Sequence, residues 1–85
     1  MVLSEGQQKI LDILTEKSNH NPGMSVFDTV IIKESGLPGE EVNSYLGQLH
    51  SLGLIILGRK AAGADYRLVN LTGDGINAIS QNQGQ

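Results

Sequence analysis

Eighty-five residues, 39% hydrophobic and 18% charged, suffice for one small core and are too few for two. The chain has no cysteine, which excludes disulfides, thiolate metal sites and cysteine nucleophiles together. A net charge of −3 and a pI near 5.1 exclude a nucleic-acid binder basic over its whole surface, while leaving room for a local patch.

The N-terminal "MVLSEGQQKI" has neither the basic nor the apolar region of a signal peptide, and no run approaches the ~18 apolar residues of a membrane span. The sequence therefore predicts a cytoplasmic protein with no membrane partner. Ser4-Glu5-Gly6-Gln7 has the spacing of a capping box, opening a first helix whose apolar stripe is Ile10, Leu11, Ile13 and Leu14. "SNHNPG", from Ser18 to Gly23, is dense in turn formers and ends it. A second helix is expected from Ser25, with Asp28 near its positive end and Phe27, Val30 and Ile31 buried. Gly36 suits the left-handed C-cap of that helix, and Leu37 fills the gap before the next.

Pro38 fits the first turn of a third helix, residues 38–52. Val42, Tyr45, Leu46, Leu49 and Leu52 follow helical spacing and define its buried face. Glu40, Asn43, Ser44, Gly47 and Ser51 lie on the other side, flanked by Gln48 and His50. After Gly53, "LIIL" reads as a strand, Gly58 to Asp65 as a loop, and the alternating "YRLVN" as a second strand, together a hairpin. Ile76 and Ile79 mark a short last helix after Leu71-Thr72-Gly73-Asp74-Gly75, where two glycines weaken the helical signal. Residues 1–79 thus form one domain, and 80–85 are expected to be a disordered polar tail.

Three short helices closed by a hairpin place the chain in the α+β class. Over Ser4 to Ile79 it resembles the winged helix-turn-helix domain of MarR-like and related archaeal transcription regulators. The resemblance rests on "VFDTVIIKESGLPGEEVNSYLGQLHSLGLI" for the helix-turn-helix and "LGRKAAGADYRLVNLTGDGINAI" for the wing and closing helix. It includes the pairing of Gly53-Leu54 before the wing with Leu71-Thr72-Gly73 after it. The resemblance implies a third, single-residue strand at Met24, and a recognition helix at 38–52 that enters the major groove of double-stranded DNA. The sequence has no counterpart of the long flanking helices through which full MarR-type regulators dimerise. A homodimer would then form through Ile76 and Ile79, or through Val2 and Leu3.

On that helix Asn43, Ser44, Gly47 and Gln48 are the expected base contacts. Asn and Gln can pair with adenine, Ser can bond several bases, and Gly47 permits close approach. An ordinary solvated face explains the same residues equally well. Glu40 and Glu41 would sit near phosphates at a cost, and both complement a helix N-terminus whatever the partner. Arg59, Lys60 and Arg67 put three of the six basic residues in one hairpin, a loop suited to a phosphate backbone or minor groove, and Lys33 is a further phosphate contact. A hairpin tip is also a natural place for charge. No nucleophile elbow, P-loop order or converging metal ligands are present, so neither an enzyme nor a cofactor is expected. The alternative function is a protein-interaction winged helix with negligible DNA affinity.

Overall fold

The computed structural model describes residues 3–60, 63 and 65–83, the last four of these through their backbone alone. Val2 of the expected dimer surface, and residues 61, 62 and 64 of the expected wing loop, lie outside that range. Four helices and three short strands follow in the order α1 (Glu5–Lys17), β1 (Val26–Phe27), α2 (Asp28–Ser35), α3 (Gly39–Ser51), β2 (Ile55–Leu57), β3 (Leu68–Leu71) and α4 (Gly73–Gln83).

The capping box forms as its spacing requires. Gln7 N–H donates to Ser4 Oγ at 3.2 Å, and Ser4 N–H donates to Gln7 Oε1 at 2.9 Å. Ile10, Leu11 and Leu14 of α1 pack against Val42, Leu46 and Leu49 of α3, with Ile31 of α2 closing the cluster. Gly36 ends α2 at φ 70°, a conformation that costs glycine nothing, and its N–H donates to Ile32 O. Pro38 is the N-cap of α3, and its carbonyl accepts from the N–H groups of Glu41 and Val42.

All strand pairs are antiparallel, in the order β1-β3-β2. Pairing of Val26 with Val69, and of Ile55 with Leu71, turns these apolar side chains inward. The hairpin therefore gains a third strand, but at Val26–Phe27 rather than Met24, and α2 starts at Asp28 rather than Ser25. The reason is non-local. Asp28 N–H donates to Arg67 O and Arg67 N–H donates to Asp28 Oδ1, which continues the β1–β3 ladder by one residue pair before the helix begins. Phe27 then points outward, 46% exposed, with its ring 4.7 Å from that of Tyr66, and is not part of the buried face of α2.

Three further expectations are corrected. Leu52 is 43% exposed, because α3 ends at Ser51 and the chain turns at Gly53 before another apolar position can be covered. Leu3 and Ile79 are buried in the core, and Ile76 packs against it, so these residues do not form a free dimer surface. The last helix continues to Gln83, since no glycine or proline interrupts it before Gly84.

The start of α4 also explains a glycine that local propensity disfavours. Thr72 bridges this corner: its hydroxyl donates to Gly53 O at 2.8 Å and accepts from Gly75 N–H at 3.0 Å, while its own N–H donates to Leu54 O. A Cβ on Gly75 would run into the Leu54 carbonyl oxygen, whereas one on Gly73 meets nothing. Alanine in a helix ordinarily gains about 1 kcal/mol over glycine. At Gly75 the sign reverses: Gly75→Ala is expected to cost about 1–3 kcal/mol through overpacking against backbone. That corresponds to roughly 4–8 °C in Tm for each kcal/mol, read in a thermal melt with Gly73→Ala as the control.

Candidate nucleic-acid interface

The outward side of α3 carries two rows. Asn43, Gly47 and His50 form the row facing the hairpin, while Ser44 and Gln48 form the row facing α1. Between the first row and the hairpin lies an open cleft of about 560 Å³, lined by Asp28, Asn43, His50, Arg59, Lys60 and Arg67 among others. Four expected site residues (Asn43, Arg59, Lys60 and Arg67) thus meet in one place although they come from separate elements.

Arg67 joins the helix to the hairpin. Its Nη2 donates to Asn43 Oδ1 at 3.1 Å, and its Nε lies 3.8 Å from Asp28 Oδ2. The carboxylate of Asp28 is itself largely buried, so it fixes the guanidinium rather than competing freely for solvent cations. Arg67 is accordingly a held cation, unlike the exposed Arg59 and Lys60.

The second row is tied differently. Gln48 Oε1 accepts from Gln7 Nε2 at 2.7 Å, and Gln48 Nε2 donates to Ser44 Oγ at 3.3 Å. Both side chains stay exposed, and these solvent-facing bonds can be exchanged for base edges. In the first row, a Cβ on Gly47 would meet nothing within 4 Å. Lys33 is exposed in the last turn of α2 and is not among the residues lining the cleft. Glu40 and Glu41 occupy the first turn of α3 and His50 its last.

Sequence reasoning passed over Asp28 and His50 as parts of this cleft. The contact of Asp28 spans 39 residues and leaves no local signal. His50 could have been found, because it follows Asn43 by two helical turns and therefore shares its face.

No protein-family model and no curated protein matches this sequence. Solved structures do. S. aureus MepR in its DNA-binding conformation superposes with a TM-score of 0.79 at 20% identity, covering 96% of this chain and 57% of its own. A MarR-family transcriptional regulator from a Rhodococcus species gives 0.79 at 15% identity, covering 96% and 54%. The fold is the MarR-type winged helix. A candidate DNA-binding protein from Ralstonia eutropha is similar along nearly its whole length, with a TM-score of 0.77, 25% identity, and 94% and 96% covered. The chain spans about half the length of the MarR-type proteins it matches. In winged-helix terms α2 and α3 are the helix-turn-helix, the β2–β3 hairpin is the wing, and β1 is the wing's third strand.

Proposed function

We propose that this chain is a small DNA-binding winged helix, a transcription regulator or an accessory factor of one, acting in the cytoplasm. The helix α3 enters the major groove, with Asn43, Ser44, Gly47 and Gln48 toward base edges. The wing sets Arg59 and Lys60 on the backbone or minor groove, Lys33 takes a flanking phosphate, and Arg67 supports Asn43 from behind. One observation carries this reading: Asn43 of α3 and the basic residues Arg59, Lys60 and Arg67 of the hairpin converge on a single cleft, joined by the Arg67–Asn43 bond. Glu40 and Glu41 are not among the residues lining that cleft, and in the first turn of α3 they complement the positive helix terminus. So few cations bind one site loosely, and two copies on adjacent sites would raise the affinity.

The test is a titration of the protein with mixed-sequence duplex, followed by anisotropy and by NMR shifts at several salt concentrations. Three phosphate contacts, from Lys33, Arg59 and Lys60, give a slope of log K against log salt of about −2.7. Shifts are expected in α3 and in the wing. No change at high micromolar protein would turn the reading toward a protein partner.

Gly47 supplies a separate check. Because a methyl group there meets only open space, Gly47→Ala is expected to stabilise the free protein by about 0.5–1 kcal/mol through helix propensity. If the backbone at Gly47 approaches the bases, the same variant loses duplex affinity while its Tm rises.

A further inference from the structure

His50 has the geometry of a ligand-binding group. It lines the cleft, and its Nδ1 lies 3.3 Å from the carbonyl oxygen of Ile55. A carbonyl only accepts, so that contact places the imidazole proton on Nδ1 and leaves Nε2 for whatever enters the cleft. The neutral ring offers Nε2 as an acceptor. Gaining a proton turns Nε2 into a charged donor without breaking the bond to Ile55.

The charged groups that share this cleft are Asp28 at the start of α2, Arg67 beside β3, and Arg59 and Lys60 on the wing. Asp28 is the one carboxylate among the described lining residues, and both its oxygens are directed at Arg67. Nothing acidic among the described lining residues is therefore left to satisfy a charged imidazole, whereas a phosphate oxygen held by Arg59 and Lys60 would do so.

We propose that His50 is a proton-dependent phosphate contact of the interface, so that duplex binding takes up a proton at this ring. The inference rests on the DNA-binding reading above and adds its regulation by pH. The sign follows from linkage. A phosphate beside the ring favours its charged form, so the midpoint of His50 is higher in the complex than in the free protein. The added affinity is fully present below the free midpoint and is lost as pH rises through the bound one.

The experiment compares duplex affinity at about pH 6 and about pH 8, the range over which histidine gains charge. The proteins are the wild type, His50→Asn and His20→Asn. Asparagine at position 50 keeps a donor for the Ile55 carbonyl but cannot titrate. His20 is the only other histidine and lies in the turn after α1, lining a different hollow with Asp12 and Glu16. The wild type and His20→Asn are expected to bind about three- to tenfold more tightly at the lower pH. In His50→Asn that difference should vanish. The ring proton shifts of His50, followed by NMR in free and bound wild type, should show the midpoint rising in the complex, which needs no variant. Binding whose pH dependence survives His50→Asn, or an unmoved midpoint, overturns the inference and leaves DNA binding standing. Absence of binding even at low pH and low salt removes the DNA reading and this inference with it.

Discussion

Leu46→Ala is expected to lower the unfolding free energy by about 2–5 kcal/mol, the range for removing a large aliphatic side chain from a core that cannot close around the gap. Leu46 is fully buried at the middle of α3, in one cluster with Ile10, Leu11, Leu14, Val42 and Leu49. Such a small domain is held by a stability toward the low end of about 5–15 kcal/mol, so this single truncation removes much of it. Urea denaturation followed by circular dichroism should show a lower midpoint with an unchanged slope, because the surface exposed on unfolding hardly changes. The same loss reaches function. Leu46 belongs to the inward seam whose burial turns Asn43 and Gly47 outward, so duplex affinity should fall with the folded fraction and recover at lower temperature.

The double variant Arg59→Ala/Lys60→Ala should leave stability nearly unchanged and weaken duplex binding by roughly a hundredfold at ~50 mM salt. Both side chains are exposed, and burial of neither contributes to the core. If each cation neutralises one phosphate, removing both reduces the salt slope by about 1.8, and the deficit shrinks to nearer tenfold at ~200 mM. Isothermal or anisotropy titrations at several salt concentrations measure both quantities. An affinity loss that did not vary with salt would mean that the two residues act on shape rather than charge.

The folding elements that local chemistry dictates were legible in the chain. The Ser4–Gln7 box, the left-handed Gly36 and the apolar face of α3 from Val42 to Leu49 stand where spacing put them, because each depends on residues within one or two helical turns. What was not legible is what distant residues decide. Strand β1 is two residues long and exists because Asp28 and Arg67 pair across the chain, so no window around Phe27 contains its cause. The glycine at position 75 reads locally as a weakness in α4, and only the Leu54 carbonyl against it explains the choice. In the cleft, Asn43 was singled out by its helix face and Arg59, Lys60 and Arg67 by residue type. Their convergence needed the fold, as did the tether of Gln48 to Gln7.

The grip of Asp28 on Arg67 has a mechanical result. By holding both the main chain and the guanidinium of one residue, a carboxylate at the head of α2 welds the root of the wing to the helix-turn-helix. The spacing between α2 and the root of the wing at Arg67 is thus set in the free protein, as on a caliper already locked at its width. On the DNA-binding reading, docking then requires no reorientation of the root of the wing against the helix-turn-helix, which lowers its entropic penalty.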